Sequence, residues 1–206
     1  MVDAVSQPRV EPPVDEDDAR ADVYALLGAL LAKPPDTAFI EQLRQIPVVA
    51  STDDNTLTAA WATLKMAAAR AQPNALKEEY HDLFIGLGRG ELVPYGSWYV
   101  TGFLMEKPLA ELRIDLERFG LERQESVYEP EDHAGALCET MSLLVLSAES
   151  ISLAQQRAFF ERHVAPWMGR FFGDLASAKA ARFYRAVGLL GERFIEIERQ
   201  NFALWV

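Results

Sequence analysis

The chain has 206 residues, with 20 Lys and Arg against 31 Asp and Glu, and therefore a formal net charge of −11 at pH 7. This charge repels the phosphates of nucleic acids and the headgroups of anionic lipids, so neither is expected as a partner, and a cationic partner is the electrostatic match. Half of the residues are hydrophobic, 12 are glycine and one is cysteine, which excludes collagen-like and disulfide-scaffold proteins. The length and composition fit one globular domain.

The beginning of the chain differs in composition from the rest. Residues 1–14 hold three prolines among acidic and polar residues, and we interpret them as a disordered tail that precedes a helical domain over residues 15–206. No apolar segment follows a basic start, so no secretory leader is expected. The longest apolar stretch, residues 134–148, contains Glu139 and falls short of the roughly 20 apolar residues that span a bilayer. Its single Cys138 is expected to be a buried, reduced thiol, and a cytoplasmic location follows.

Helical patterns occupy most of the domain. Acidic residues 15–18 begin a helix that runs to about Lys33, where Pro34 and Pro35 end it. Asp36 is the expected cap of a short helix that runs to about Ile46. Further helices are predicted over residues 55–71, 73–85, 108–119, 130–149, 153–163, 166–176 and 179–204, with helical patterning also resuming at Trp98. No stretch alternates with a period of two, so the predicted fold is an all-α, single helical bundle.

A glycine-rich loop interrupts these helices. Gly86, Gly88, Gly90, Pro94 and Gly96 fall within eleven residues, a density that no helix tolerates. A phosphate-binding loop would need a Lys-Ser or Lys-Thr pair after the glycines, but a glutamate and a leucine stand there. The loop is therefore interpreted as a sharply turning connector rather than as a nucleotide site.

The sequence Glu-Pro-Glu-Asp-His at residues 129–133 is the strongest local motif. Pro130 is predicted to open a helix with acidic residues in its first turn. His133 would then face the positive end of the helix dipole, which opposes its protonation. Two interpretations stay open for His133: a neutral side chain satisfied by a nearby hydrogen bond, or a side chain that faces a ligand.

If the protein is an enzyme, a metal site is the form of active site to consider. Glu78 and His81 have the spacing that places a carboxylate and an imidazole on one helix face. Di-iron bundles need two such pairs and two further glutamates, and neither Glu129 with His133 nor the surroundings of His163 supply the second pair. A small α-helical di-metal carboxylate enzyme is thus the second hypothesis, and a scaffold bundle without a specific ligand is the third.

Aromatic residues concentrate around the loop, namely Tyr80, Phe84, Tyr95, Trp98, Tyr99 and Phe103. Taken singly, such residues at helical spacing are typical of a core. Taken together, aromatic walls beside a carboxylate-rich segment describe a peptide groove, in which carboxylates would bind arginine with bidentate geometry.

An ordered set of motifs carries a resemblance to a known family. The set consists of Tyr-His-Asp-Leu-Phe-Ile-Gly at 80–86, Pro-Tyr-Gly-Ser at 94–97, Glu-Pro-Glu-Asp-His at 129–133, His-Val-Ala-Pro-Trp at 163–167 and Phe-Tyr-Arg-Ala at 183–186. The chain resembles the TorD/DmsD family of cytoplasmic chaperones for molybdoenzymes, also called redox enzyme maturation proteins, over roughly residues 20–200. Tyr95 stands where some relatives carry tryptophan, a departure that keeps an aromatic wall but bears on which partner fits.

The resemblance implies an all-helical chaperone that is not an enzyme and needs no cofactor or metal. Such chaperones bind the twin-arginine signal peptide, and often the apo-enzyme body, of a molybdopterin-containing oxidoreductase, and they delay export until the cofactor is inserted. Family members occur as monomers and as larger homo-oligomers. By matching positions, the resemblance implies that the signal-peptide-binding residues are Leu83, Phe84, Gly86, Pro94, Tyr95, Gly96, Ser97, Glu129, Pro130, Asp132 and His133.

Charge suggests how the leader would bind. The arginine pair is expected at Glu129, Glu131 and Asp132, and the apolar segment at Leu83 and the groove aromatics. Since a helix N-terminus repels cations, the carboxylates must outweigh the helix dipole for arginine to bind there. Asp82 and Glu91 are the alternative acids for the arginine pair.

Overall fold

The structure is a computed structural model that describes residues 16–48, 53, 56–123 and 128–204. The predicted tail over residues 1–14 lies outside these residues. The described residues contain ten α-helices and no β-strand, which confirms the predicted all-α bundle. The helices are α1 (Glu16–Ala32), α2 (Thr37–Gln45), α3 (Leu57–Arg70), α4 (Pro73–Tyr80), α5 (Gly96–Thr101), α6 (Lys107–Arg118), α7 (Ala134–Leu146), α8 (Leu153–Phe159), α9 (Met168–Ser177) and α10 (Phe183–Leu204).

Side-chain caps explain where several helices begin. The side chain of Asp36 accepts a hydrogen bond from the Phe39 backbone N–H at 2.8 Å, which confirms its predicted role as the cap of α2. Ser152 and Gln155 form a capping box at the start of α8, in which each side chain bonds the backbone of the other. Short π-helical segments, His81–Ile85 and Phe160–Val164, extend α4 and α8.

Glycines allow the central helices to approach closely. α1 packs along α7, and α10 packs against α9 and α3. A Cβ atom on Gly28 of α1 would lie 3.1 Å from the carbonyl oxygen of Gly135 in α7, and one on Gly188 of α10 would lie 2.5 Å from the backbone N of Ala176 in α9. Larger residues at these positions would force the paired helices apart, so the sequence itself sets the spacing of the bundle.

A buried charged network joins α1 to α10. Glu198 is fully buried, and its carboxylate accepts hydrogen bonds from Nε of Arg20 at 2.8 Å and from the Tyr24 hydroxyl at 3.0 Å. Burial alone would lower the pKa of Arg20, but the hydrogen bond and charge of Glu198 raise it above its usual value. The three groups satisfy one another, which is the condition for placing charge in a core.

Several helix starts differ from the sequence prediction. α7 begins at Ala134 rather than at Pro130, because the carbonyl of Pro130 accepts from the His133 N–H in a turn and the Ala134 N–H bonds the carbonyl of Pro94. α10 begins at Phe183 rather than at residue 179, because the side chains of Glu91 and Glu79 hold the backbone N–H groups of residues 179, 180 and 182–184. α5 likewise begins at Gly96, two residues before the helical pattern was expected to resume.

The lone cysteine agrees with its prediction. Cys138 is a free thiol with no exposed surface, and burial raises its pKa well above the ordinary value. Among the helices of the described residues, none has the length and apolar character needed to cross a membrane.

Candidate functional site

Two of the sequence motifs, far apart in the chain, lie side by side. Tyr95 and His133 form an isolated antiparallel bridge. The Ala134 N–H donates to the Pro94 carbonyl at 2.8 Å, and the Gly96 N–H donates to the Asp132 carbonyl at 2.9 Å. The Pro-Tyr-Gly-Ser and Glu-Pro-Glu-Asp-His segments are therefore one structural unit, which we call the bridge unit (residues 94–97 and 129–134).

Asp132 holds this unit from inside. Its side chain is 3% exposed, and Oδ2 accepts a hydrogen bond from the Ser97 backbone N–H at 2.8 Å. Ser97 lies in the first turn of α5, so a carboxylate from another segment satisfies an N–H group that the helix itself leaves free. The second oxygen, Oδ1, and the Ser97 hydroxyl are both buried without a hydrogen-bond partner among the described residues. Asp132 thus supports the start of α5 and has almost no exposed surface.

His133 caps α7 instead of lying in its first turn. Its Nδ1 accepts a hydrogen bond from the Gly135 backbone N–H at 3.1 Å, which only a ring unprotonated at Nδ1 can do. The side chain is 7% exposed, and burial lowers its pKa despite the neighbouring charges of Glu129 and Asp132. The structure therefore matches the neutral, hydrogen-bonded interpretation of this residue. Its ring packs against Tyr95 with centroids 5.2 Å apart.

Glu129 is the accessible carboxylate of the bridge unit. It is exposed, and it accepts a hydrogen bond from the Tyr95 hydroxyl. Burial raises the pKa of Tyr95, and the hydrogen bond and charge of Glu129 raise it further. Tyr95 thereby orients the carboxylate of Glu129.

Glu131 is engaged by arginines of the same chain. Nη2 of Arg113 in α6 lies 2.8 Å from its carboxylate, and Nε of Arg123 lies 3.7 Å away. Burial opposes ionisation, but the Arg113 hydrogen bond and the two positive charges lower the pKa of Glu131. Glu131 was expected to bind an arginine of a leader, but in the structure it already pairs with two arginines of this chain.

A cleft of about 220 Å³ opens beside Glu129, between the end of α6 and α7. Its walls combine leucines with four glutamates, and the lining residues are Leu116, Leu121, Glu122, Arg123, Glu129, Glu131, Ala136, Glu139, Thr140 and Leu143. We call it the acidic cleft. Glu122 and Glu139 are exposed, and neither was a candidate from the motifs. Glu139 had one signal in the sequence, because it is the only charge in an otherwise apolar helix.

The Leu83–Gly86 segment lies outside the acidic cleft. Leu83 is fully buried, and Phe84 packs edge-on against Tyr80 at 5.0 Å between ring centroids. Gly86 has φ +60°, and a Cβ there would lie 2.2 Å from the Arg89 carbonyl oxygen, so the turn requires glycine. Burial raises the pKa of Tyr80 to about 12, with a further contribution from the charge of Glu129. Tyr80 therefore contacts this segment through Phe84 and is also influenced by the charge of Glu129 in the bridge unit.

The alternative acids have different surroundings. The Glu91 carboxylate accepts from the backbone N–H groups of Lys179 at 2.7 Å and Ala180 at 2.9 Å, and these bonds lower its pKa. Glu91 is thus a structural clamp. Asp82 is exposed and has His81 at 3.7 Å, so it remains accessible.

The other motif hypotheses find no support in the geometry. In the described part of the chain, no three His, Cys, Asp or Glu side chains come together in a way that could hold a metal ion. Glu78 and His81 both point to the exposed side of their helix. In the glycine-rich loop, the guanidinium of Arg89 stacks 5.0 Å from the centroid of the Trp98 ring.

Comparison with known proteins decides the family. The profile of the family described as "Nitrate reductase delta subunit" matches residues 51–173, more than half of the chain. The chain belongs to this family. Both segments of the bridge unit fall inside the matched range.

Curated relatives of this family member agree with the resemblance drawn from the motifs. The chain is 28% identical over 133 residues to "Chaperone protein TorD" of Vibrio cholerae, a match that covers 60% of each protein. It is 24% identical over 200 residues to the protein of the same name from Aliivibrio fischeri, with 88% of this chain and 93% of the relative covered. The relatives are named as chaperones and not as enzymes, as the resemblance implied.

A solved structure supports the fold. A proposed redox enzyme maturation protein from Archaeoglobus fulgidus aligns with a TM-score of 0.55 over 92% of this chain and 99% of its own. Its sequence identity is 17%, so this likeness speaks for the shared fold alone.

Proposed function

We propose that this family member is a cytoplasmic chaperone that binds the twin-arginine signal peptide and the apo form of a molybdopterin-containing oxidoreductase. By holding the leader, it would delay export until the cofactor has been inserted. The proposal is supported by the ordered motifs, by the family match and by the name of the curated relatives.

The observation that carries the proposal is the accessible carboxylate of Glu129 at the acidic cleft. The bridge between Tyr95 and His133 positions it, and the leucine walls beside it provide apolar surface. A twin-arginine leader combines two guanidinium groups with an apolar segment. Arginine and carboxylate pair through charge-assisted hydrogen bonds, and the cleft offers the complementary charge and shape.

We assign the arginine pair to Glu122, Glu129 and Glu139. These three glutamates are exposed, whereas Asp132 is buried and Glu131 is engaged by Arg113. α7 begins only at Ala134, so Glu139 lies beyond its first turn, where the helix dipole no longer opposes a cation. This arrangement removes the conflict between an arginine ligand and a helix N-terminus.

The remaining motif residues divide into two groups in this proposal. Those with exposed surface would contact the leader, namely Phe84, Gly86, Tyr95, Glu129 and Pro130. Those that are buried would hold the first group in place, namely Leu83, Pro94, Gly96, Ser97, Asp132 and His133. Burial decides the division, because a side chain without accessible surface cannot bind a peptide.

An exposed apolar run next to the bridge unit suits the apolar part of a leader. Val100 near the end of α5 and Phe103, Leu104 and Met105 just after it are each about half or more exposed, with Phe103 at 68% and Met105 at 74%. Met105 also has φ +58°, a strained value for a residue with a side chain. Exposed apolar groups in a contiguous run are typical of interaction surfaces.

The test is calorimetric titration of the full chain with two synthetic peptides. One carries two adjacent arginines before an apolar segment of about ten residues, and the other carries glutamines in place of the arginines. We expect the arginine peptide to bind at least tenfold more tightly, with affinity that weakens as salt is added. Equal affinities, or no binding of either peptide, would contradict the proposal.

A further inference from the structure

A second groove lies between α3, α4 and α10 and shares no lining residue with the acidic cleft. It has a volume of about 460 Å³. Its floor is apolar, with Leu76 and Phe183 at 2% and 4% exposure, and Met66 stands half exposed at the edge. We call it the arginine groove because Arg70, Arg182 and Arg185 all line it.

The guanidinium groups of these arginines are unoccupied in the described part of the chain. Most arginines there form ion pairs, hydrogen bonds or ring contacts, and the exceptions are Arg70, Arg182, Arg185 and Arg193. Three of these four surround one groove. In a chain of net charge −11, unpaired arginines concentrated at one place are unexpected on composition alone.

Local helix chemistry does not explain the positions of Arg182 and Arg185 at the start of α10. Arg182 immediately precedes the helix and Arg185 lies in its first turn, where the dipole disfavours positive charge. The carboxylate of Glu79 satisfies the free backbone N–H groups at this helix start, because it accepts hydrogen bonds from residues 182, 183 and 184. This carboxylate binds the backbone of Arg182, so both guanidinium groups stay free to bind another anion.

We propose that the arginine groove binds an acidic amphipathic segment of the client polypeptide, outside its leader. Apolar side chains of that segment would fill the floor over Leu76 and Phe183, and its carboxylates would pair with the three arginines. The charge of the groove is opposite to that of the acidic cleft, so one surface selects the cationic leader and the other an acidic part of the same client. This inference rests on the proposed function for the identity of the client.

The test uses a fluorescent helical peptide whose leucine face is flanked by glutamates, with matched peptides that carry lysine or glutamine at the same positions. We expect the full chain to bind the glutamate peptide at least tenfold more tightly than either of the others. Arg182→Glu and Arg185→Glu should each weaken binding at least threefold. Acid near the start of a helix favours the helix, so these variants are expected to remain folded.

Arg193→Glu is the matched control, because it makes the same charge change at an unengaged arginine of the same helix outside the groove. It should alter the affinity less than twofold. Equal binding of the three peptides, or an equal loss in Arg193→Glu, would overturn the proposal. Binding that appears only after residues 2–15 are deleted would also overturn it, since the occupant would then be a segment of this chain.

A parallel titration with the twin-arginine peptide separates the two proposals. Arg182→Glu and Arg185→Glu should leave its affinity unchanged. If the acidic peptide binds the groove and the leader peptide binds nowhere, the groove stands and the proposed leader function fails. If the leader binds and the acidic peptide does not, only the groove proposal fails.

Discussion

The carboxylate of Asp132 accepts a hydrogen bond from the Ser97 backbone N–H at 2.8 Å, across 35 residues of sequence. Through this contact Asp132, one of three acids in the Glu-Pro-Glu-Asp-His motif, supports the start of α5. The acid available to a ligand is Glu129, which lies at the other end of the motif and is held by Tyr95. In the proposed function, structural and binding roles are therefore divided within five consecutive residues.

Asp132→Ala should lower the free energy of unfolding by about 1–3 kcal/mol, because it leaves the buried Ser97 N–H without an acceptor. Ser97→Ala is the control at the other side of the contact. It keeps the N–H and removes a buried hydroxyl that has no partner in the described structure, so its cost should stay below about 0.5 kcal/mol. Urea denaturation of both variants measures the difference, and equal losses would contradict this role of Asp132.

Because His133 is buried and its pKa is lowered, the free energy of unfolding should decrease in mild acid. Burial lowers its pKa in the folded state, so the unfolded chain takes up the proton more readily as pH falls through the ordinary histidine value of about 6.5. Stability should therefore be fully present above that value and decrease from pH 7.5 to 5.5. His133→Asn keeps a cap acceptor without titrating, so its decrease should be smaller.

A decrease remains in the His133→Asn variant because His163 also contributes. Burial lowers the pKa of His163, although its hydrogen bond to Asp115 at 2.8 Å acts in the opposite direction. Urea denaturation at a series of pH values tests the comparison. Identical pH slopes in the two proteins would show that His133 does not titrate as the structure implies.

Glu79 should be among the residues most important for stability. Its carboxylate accepts from the backbone N–H groups of Arg182 at 2.7 Å and Tyr184 at 2.8 Å, and also from that of Phe183. Glu79→Ala should cost about 2–3 kcal/mol, because these N–H groups lose their acceptor in a largely buried setting. The exposed neighbour Glu78 is the control, and Glu78→Ala should change stability by less than about 0.5 kcal/mol. A Glu79→Ala variant as stable as Glu78→Ala would be inconsistent with the clamp.

Substitutions of Tyr95 and Glu129 should weaken the binding of the leader to different extents. Glu129→Gln removes a charge that pairs with arginine, and the affinity for the twin-arginine peptide should fall about tenfold. Tyr95→Phe keeps the ring against His133 and removes only the hydroxyl that orients Glu129, so the loss should be about threefold. Glu41→Gln, on the exposed side of α2, is the control for net charge. A larger loss in Tyr95→Phe than in Glu129→Gln would contradict the assignment.

Much of the fold follows from the sequence because its helix signals are local. Asp36 as a cap and Pro73 at the start of α4 lie where the pattern predicts. The errors occur where a distant side chain or backbone group competes for a helix end. Pro130 and residue 179 both have the local chemistry of a helix start, but the carbonyl of Pro94 and the carboxylate of Glu91 bind the N–H groups there.

The candidate site was only partly predictable for a similar reason. The motifs point to the residues of the bridge unit, and in the structure its two segments lie side by side. Which acids are accessible depends on burial and on ion pairs between distant residues, such as Arg113 with Glu131, and no spacing rule reveals these. Glu122, in the segment after α6, and Glu139 of α7 line the same cleft, a proximity that the local pattern does not contain.

The most direct test of the central claim is a double-mutant cycle between the acidic cleft and the leader. Glu139→Gln in the full chain is combined with substitution of one leader arginine by glutamine, and calorimetry gives the four affinities. Direct pairing predicts that the two changes are not additive, with a coupling energy of about 1 kcal/mol or more for one of the two arginines. Additive losses for both arginines, in this variant and in Glu129→Gln alike, would contradict the claim that the cleft binds the arginine pair.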